Sequence, residues 1–158
     1  MQANPHLHVP RPVGHFALMA AVSPPLHYYR YLYEAVGRDY AWVDRLRLSD
    51  EELAAIIHDE AVEIYVMYAD GAPAGYFELD FRNTGEAELA YFGLIPEFTG
   101  RGLGKFMLAQ AIELAWEKPI RRLFVHTCTM DHPAALPLYQ KYGFIPYAQD
   151  KTEVELPE

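Results

Sequence analysis

The chain has 158 residues, 51% of them hydrophobic, which is enough for one domain with one core. It carries 13 Lys and Arg against 22 Asp and Glu, and the net charge of −9 excludes general nucleic-acid binding, which needs clustered basic residues. No apolar stretch approaches the length of a membrane span, so no membrane partner is expected. The single cysteine, Cys128, excludes an internal disulfide and favours a reducing, cytoplasmic compartment.

Residues 1–13 contain three prolines and two histidines, a composition that predicts a flexible arm rather than a signal peptide. The rest, residues 14–158, is expected to form a single domain. The excess of acidic side chains would attract a cationic acceptor such as an amine. The same charge also keeps a protein soluble, and the sequence leaves both interpretations open.

The first part of the domain predicts a strand followed by two helices. The strand covers residues 14–22, the first helix begins at Pro24 or Pro25 and continues through Val36, and the second runs from Ser49 to His58. Gly37 would end the first helix. Ser49 precedes three acidic residues, which is typical of a helix N-terminus.

The second part predicts five strands and two helices, with tight turns at residues 70–71 and 83–85. The strands are expected at residues 62–67, 74–82, 88–95, 122–129 and 144–156, and the helices at residues 104–116 and around Tyr139. The complete order is therefore β-α-α-β-β-β-α-β-α-β.

Three glycines, Gly100, Gly102 and Gly104, occupy alternate positions between a predicted strand and a predicted helix. Glycine lets the backbone turn sharply and come close to a ligand, and unpaired amides at a helix N-terminus favour an anion. The loop therefore predicts a phosphate or pyrophosphate site. Thr99 and Phe106 stand where a Walker A loop needs Gly and Ser or Thr, and the glycine spacing differs from the dinucleotide fingerprint G-x-G-x-x-G.

Two segments resemble the GNAT acetyltransferase superfamily. Residues 99–104 are similar to its coenzyme A loop, Q/R-x-x-G-x-G/A, with Thr99 at the first position. Residues 132–144 resemble its N-x-x-A-x-x-L-Y-x-x-x-G-F segment, with His132 in place of Asn. Pro137 inside that helix predicts a kink or irregularity near its start. The residues that match in the second segment are Ala135, Leu138, Tyr139, Gly143 and Phe144.

The resemblance implies the GNAT fold, a mixed α+β fold whose central, mostly antiparallel sheet has splayed central strands and is flanked by helices. It also implies acetyl-CoA as the cofactor, with the pantetheine arm entering the splay. A bulge at Gly93 would open the strands there, Arg101 and Lys105 either add charge near the diphosphate or stay solvated, and His132 either contacts a ligand or caps the helix. The cofactor-binding residues implied are Phe92, Gly93, Leu94, Thr99, Gly100, Arg101, Gly102, Leu103, Gly104, Lys105 and His132.

The same resemblance implies catalytic roles. Tyr139 aligns with the tyrosine that protonates the leaving thiolate in many members, although a packing role is the alternative. Glu88 aligns with an acidic position that some relatives use as the general base, and it ranks first among the candidates. His126 ranks second, because imidazole is a suitable base near neutral pH. Glu78 ranks third, on the same face of one strand as Asp80.

The acceptor is expected to meet the N-terminal region, which is rich in aromatic residues: Tyr28, Tyr29, Tyr31, Tyr33, Tyr40 and Trp42. Tyr29 and Tyr33 share one helix face and, with Asp80, are the candidate substrate-binding residues, favouring an aromatic or cationic group. Helix–sheet packing together with a homodimer contact is the alternative. The seven histidines show no metal-ligand spacing with Cys128 or a carboxylate, so no metal site is expected.

Three functions are consistent with these residues. The first is an acetyl-CoA-dependent N-acetyltransferase that acts on a primary amine of a small molecule or amino-acid-like acceptor by direct attack in a ternary complex. The second acetylates a protein N-terminus or a lysine. The third is a non-catalytic acyl-CoA-binding module, against which the presence of Tyr139 and several candidate bases argues.

Overall fold

The computed structural model describes residues 1–153 and 155, which form a sheet covered by helices on both faces. The strands are β1 Phe16–Ala20, β2 Val62–Ala69, β3 Ala72–Asp80, β4 Glu86–Leu94 and β5 Arg122–Val125. The helices are α1 Leu26–Gly37, α2 Asp50–Ile57, α3 Leu103–Trp116 and α4 Ala135–Lys141. Short 3₁₀ turns cover Arg38–Tyr40, Arg45–Arg47 and Pro96–Phe98. The mixed α/β class and the predicted order of elements through α4 are confirmed.

The sheet is mostly antiparallel and runs in the order β1-β2-β3-β4-β5. Among the strands of the described residues, β4 and β5 alone are parallel, because the chain crosses over through α3 between them. Their pairing begins at Glu86 with Arg122 and ends at Leu89 with Val125, whereas β4 continues to Leu94. The C-terminal half of β4 therefore has no paired strand on the β5 side among the described residues, at the place where the splay is expected.

A bulge marks the place where β4 leaves β5. Leu79 pairs with Leu89, but its neighbour Glu78 pairs with Tyr91, so Ala90 is the extra residue on β4. The bulge is therefore at Ala90 and not at Gly93, where we expected it. Gly93 pairs in regular register with Tyr76. Glycine is required at this position by the packing of α1, as described below.

The alternating side chains of the sheet pack into two cores. On one face, Phe77 and Leu79 pack with the apolar side of α3. On the other face, Tyr76 packs with residues of α1 and α2. The predicted capping box of α2 is present: Ser49 Oγ accepts from the Glu52 amide, and Glu52 accepts from the Ser49 amide.

The end of the sheet differs from the prediction. No strand forms over residues 144–153 or at 155, and the remainder of the predicted strand at 144–156 lies outside the described residues. Pro146 lies in this segment and lacks the backbone N–H that a strand would donate to its neighbour, which disfavours strand pairing there. The edge of β5 is instead occupied at Leu123, which exchanges two backbone hydrogen bonds of 2.9 Å with Met1. The strand expected at 122–129 likewise ends at Val125.

Residues 1–13, expected to form a loose arm, contact the domain at several points. Met1, Leu7 and Val9 pack against the core on the α3 side. The indole Nε1 of Trp116 also lies 3.3 Å from the sulfur of Met1.

Pro137 does not break its helix. It is the third residue of α4 and so lies in the first turn, where backbone N–H groups have no intrahelical partner. The next amide, that of Leu138, donates normally to Ala134 at 3.1 Å. Pro137 therefore costs α4 no hydrogen bond, and the kink that we predicted there has no cause.

Candidate active site

The glycine loop has the geometry that its sequence predicts. Gly100 and Gly102 have φ of 79° and 77°, which other residues rarely adopt, and an added Cβ at either would meet no atom within 4 Å. α3 begins directly afterwards at Leu103, and no side chain in the described part of the chain caps it. The first amides of α3 are therefore available to an anion.

The side chains around this loop are only partly committed. Thr99 donates its hydroxyl to the carbonyl of Pro96 at 2.8 Å, so it stabilises the preceding turn. Arg101 lies 3.8 Å from a carboxylate oxygen of Asp70 and over the ring of Phe98, yet it remains about half exposed. Lys105 is exposed on the first turn of α3. Both cations can turn toward a bound diphosphate.

The divergent part of β4 presents Phe92, Gly93 and Leu94, all partly exposed, with no strand of the described residues on the β5 side. Its free backbone groups can pair with an extended ligand. Gly93 is required by packing: an added Cβ would lie 2.4 Å from Val36 Cγ1 and 3.6 Å from the Trp42 ring. α1 and Trp42 therefore cover β4 at this position.

Tyr139 lies beside this edge. Its ring contacts the edges of Phe92 and Phe144, with centroid distances of 6.1 Å and 5.8 Å, and only 6% of the residue is exposed. Burial, and then the negative charge of Asp131, raise the pKa of the Tyr139 hydroxyl above its ordinary value. The hydroxyl therefore keeps its proton at neutral pH.

His132 stands at the entrance to α4. Its Nδ1 accepts the amide of Ala134 at 3.0 Å, and its carbonyl accepts the amide of Ala135 at 2.9 Å. Its ring also contacts that of Tyr40 at 5.9 Å, which links the turn after α1 to the start of α4. These contacts stabilise the turn before α4, whose N-cap residue is Ala134 and which has no side-chain cap among the described residues.

Glu78 is enclosed by protein. It has no exposed surface, one carboxylate oxygen accepts from Arg45 Nη2 at 2.8 Å, and the other accepts from the Tyr29 hydroxyl at 2.6 Å. Burial raises the pKa of Glu78 above its ordinary value, although Arg45 and Tyr29 oppose that shift. With both oxygens engaged, Glu78 is poorly placed to take a proton from a substrate.

Arg45 is the partner that sequence reasoning missed. It lies in a 3₁₀ turn, where no hydrophobic periodicity predicts burial, but it is 8% exposed and its guanidinium stands 5.0 Å above the Tyr91 ring. Its Nη1 and the hydroxyl of Tyr76 have no hydrogen-bond partner among the described residues. Asp80, two residues beyond Glu78, is held by several hydrogen bonds from Arg82.

Tyr29 and Tyr33, the predicted acceptor contacts, lie in the core on the α1 side and are almost fully buried. Their rings stack with a centroid distance of 6.2 Å. Tyr33 also meets Trp42 and Tyr91 at 5.5 Å and 5.0 Å. This aromatic cluster supports the packing role that the sequence left as the alternative.

Glu88 and His126 are brought together. Glu88 Oε1 lies 3.0 Å from His126 Nδ1, and the side chains are 31% and 75% exposed. Glu88 is two residues before the bulge at Ala90, and His126 directly follows β5. The pair therefore lies at the opening between the two strands, on the face opposite to Tyr139.

These residues follow one another along β4: the Glu88–His126 pair lies before the bulge, Phe92 with Tyr139 lies after it, and the glycine loop lies beyond the end of the strand. An extended ligand along β4 would pass Phe92 and Tyr139, its anionic end would reach the glycine loop, and its other end would meet Glu88 and His126. The described residues contain no cluster of three or more metal-ligating side chains, and none of their helices is long and apolar enough to cross a membrane.

Comparison with known proteins gives the same assignment. The profile of the Acetyltransferase (GNAT) family matches residues 29–144. The chain belongs to the GNAT acetyltransferase family. A protein of Bacillus subtilis (strain 168) that carries the provisional name [ribosomal protein bS18]-alanine N-acetyltransferase is 35% identical over 81 residues. That match covers 51% of this chain and about half, 52%, of the curated relative.

Solved structures share the GNAT fold at low sequence identity. An aminoglycoside N-acetyltransferase, AAC(6')-Iy in complex with CoA, is 20% identical, with a TM-score of 0.66 over 94% of this chain and 99% of its own. The provisionally assigned acetyltransferase YycN of Bacillus subtilis is 19% identical, with a TM-score of 0.63 over 89% and 100%. A transcriptional regulator from Bacillus halodurans C-125 is 18% identical, with a TM-score of 0.67 over 89% and 100%. At these identities the likeness supports the fold alone.

Proposed function

We propose that this GNAT chain, acting as one domain over residues 14–158, transfers an acetyl group from acetyl-CoA to a primary amine of a small molecule. The amine attacks the thioester directly while both substrates are bound. The observation that carries the proposal is the arrangement along β4: the Glu88–His126 pair lies two residues before the bulge at Ala90, and the protonated Tyr139 contacts Phe92 two residues after it.

Acetyl-CoA would be held at two places. The amides that follow Gly102 would accept the diphosphate, and Arg101 and Lys105 would add charge. The backbone of Phe92, Gly93 and Leu94 would pair with the amides of the pantetheine arm. With acetyl-CoA held in this way, the thioester would lie along β4 near the bulge.

Tyr139 would complete the transfer. When the amine nitrogen bonds to the carbonyl carbon and the C–S bond breaks, the leaving thiolate needs a proton. The raised pKa of Tyr139 keeps its hydroxyl proton available for that donation. The phenolate recovers a proton as the acylated nitrogen loses one, so the tyrosine returns to its starting state.

The acceptor is proposed to be cationic before it reacts. Glu88 on β4 is a partly exposed carboxylate at the opening between the strands and would attract an ammonium group. Glu86 and Asp80 lie nearby but are paired with Arg122 and Arg82. A reducing compartment such as the cytoplasm would suit the exposed free thiol of Cys128.

Acetylation of a protein N-terminus is the second candidate. It is favoured by the Bacillus subtilis relative, whose provisional name is that of a ribosomal-protein alanine N-acetyltransferase. The residues that hold acetyl-CoA and protonate the thiolate would be the same in both functions, so the two differ only in the acceptor.

Release of free thiol from acetyl-CoA distinguishes these candidates. One acceptor pool holds polyamines, aromatic amines and amino acids, and the other holds short peptides with free N-termini. Release with the first pool alone supports the proposed function, and release with peptides alone supports the second candidate. If neither pool gives release while calorimetry shows that acetyl-CoA binds, the proposal is wrong and the non-catalytic module is favoured.

A further inference from the structure

We infer that His126 is the general base of the acetyl transfer and that Glu88 positions it, an inference that rests on the proposed function. The alternative from the family resemblance is that Glu88 itself takes the proton. The two side chains form a hydrogen-bonded pair, Glu88 Oε1 to His126 Nδ1, with a length of 3.0 Å. In a pair of this kind one side chain faces the substrate, and the other orients the first through the hydrogen bond.

The sheet register fixes which member faces outward. Glu88 pairs with Phe124 and Leu89 with Val125, so His126 is carried one position beyond the last paired residues, level with the bulge at Ala90. Its side chain is 75% exposed, whereas that of Glu88 is 31% exposed. A substrate approaching the opening between the strands therefore meets the imidazole first.

The hydrogen bond also selects the tautomer. An ionised carboxylate can only accept, so Nδ1 of a neutral His126 carries the hydrogen and Nε2 is left with its lone pair. The Phe124 ring meets the imidazole edge-on, with a centroid distance of 5.6 Å, and limits its rotation. His126 is thus prepared as a proton acceptor at Nε2.

The other acidic candidates lack this freedom. Both oxygens of Glu78 are occupied by Arg45 and Tyr29 in the core. Both oxygens of Asp80 accept hydrogen bonds from Arg82. The Glu88–His126 pair is consequently the candidate with an exposed basic atom.

Each proton that moves in this reaction has a donor and an acceptor. Nε2 of His126 takes one proton from the acceptor ammonium, and the resulting neutral amine forms the C–N bond to the thioester carbonyl. As the C–S bond breaks, Tyr139 gives its proton to the thiolate, and the new amide nitrogen releases its second proton to restore Tyr139. The imidazolium then returns its proton to solvent, so that one proton is released per acetyl group.

The test measures thiol release by His126→Ala, with the most active amine of the small-molecule pool as acceptor. We expect kcat/KM to fall about 100-fold, because general bases typically contribute 100-fold or more, and added imidazole to restore at least part of the rate. Acetyl-CoA affinity should stay the same. His8→Ala, which changes an exposed histidine of the N-terminal segment, serves as the matched control and should keep the full rate.

Glu88→Gln tests the positioning role. Because Glu88 acts through the imidazole, the double variant Glu88→Gln/His126→Ala should be no slower than His126→Ala alone. If the two losses multiply, if Glu88→Gln is the slower single variant, or if imidazole restores nothing, Glu88 is the base and the inference is overturned. If the wild-type protein itself releases no thiol with either acceptor pool, the proposed function fails, and the inference fails with it.

Discussion

Glu78 and Glu88 lie on the same face of neighbouring strands, but the protein treats them in opposite ways. Glu78 is fully buried against Arg45 and Tyr29, whereas Glu88 is 31% exposed and meets an exposed histidine. Strand alternation determines the face of a side chain but not how deeply it is covered. α1 and the turn that carries Arg45 cover β3 at Glu78. They leave the first residues of β4, around Glu88, partly open to solvent.

We propose that this difference separates a carboxylate that stabilises the fold from one that takes part in the reaction. A buried ion pair is costly to desolvate, and it persists only while both charges and their hydrogen bonds are satisfied. Both oxygens of Glu78 accept hydrogen bonds, whereas Arg45 Nη1 has no partner among the described residues, so the buried guanidinium depends on the carboxylate. Among the described residues Glu88 pairs with His126, whose ring faces solvent, so a change at Glu88 should affect the reaction more than the fold.

Glu78→Gln should give the largest effect. Removing the carboxylate charge leaves Arg45 buried without a counter-charge, and breaking one side of such a pair costs about 3–5 kcal/mol of unfolding free energy. Urea unfolding followed by circular dichroism measures the loss.

The double variant Arg45→Met/Glu78→Leu is the control for this prediction, because apolar replacement of both charges is often neutral or stabilising. It should be clearly more stable than Glu78→Gln. A stable Glu78→Gln protein that has lost only its turnover would contradict the comparison and make Glu78 a catalytic residue.

Glu88→Gln should leave the fold nearly unchanged. Exposed ion pairs contribute about 0–1 kcal/mol, so its unfolding free energy should stay close to that of the wild type. Its kcat should nevertheless fall about 10-fold or more, because the imidazole loses the carboxylate that orients it. Steady-state thiol release and urea unfolding on the same preparation check both parts. A large loss of stability would show that Glu88 resembles Glu78 after all.

Asp80→Asn should give the smallest effect. Burial alone would raise the pKa of Asp80, but the hydrogen bonds from Arg82 outweigh it and lower the pKa. The ionised carboxylate therefore stabilises the fold above the unfolded pKa of 3.8, and this contribution disappears as the pH falls through the still lower folded value.

Because Arg82 is partly exposed, the Asn variant should lose only about 0.5 kcal/mol at pH 7. Urea unfolding at neutral and at acidic pH measures this difference, which should close at acidic pH. If the difference in unfolding free energy between wild type and Asp80→Asn grew as the pH fell, the lowered pKa of Asp80 would be contradicted.

Much of the fold could be predicted because local signals and the packed structure agree. The glycine loop, the capping box at Ser49 and the alternation in β2 each depend on neighbouring residues alone. The prediction of a strand at residues 144–156 was wrong over the described residues. Strand pairing depends on which segment reaches the edge of β5, and Met1 occupies that edge at Leu123.

The site was less predictable for the same reason. Tyr139 and the glycine loop could be placed from motifs, but the contact between Glu88 and His126 joins residues 38 positions apart. The bulge at Ala90 likewise carries no sequence signal, because alanine is compatible with any position of a strand. Burial of Tyr29 and Tyr33 depends on how α1 packs on the sheet, which helix periodicity alone does not determine.

The most direct test of the account is Tyr139→Phe, with acetyl-CoA binding and thiol release measured on the same protein. The phenyl ring keeps the contacts with Phe92 and Phe144 and removes only the proton donor. We predict unchanged affinity for acetyl-CoA and a fall in kcat of about 100-fold, as is typical when a general acid is lost. Full turnover by Tyr139→Phe would contradict the assignment of Tyr139 as the general acid.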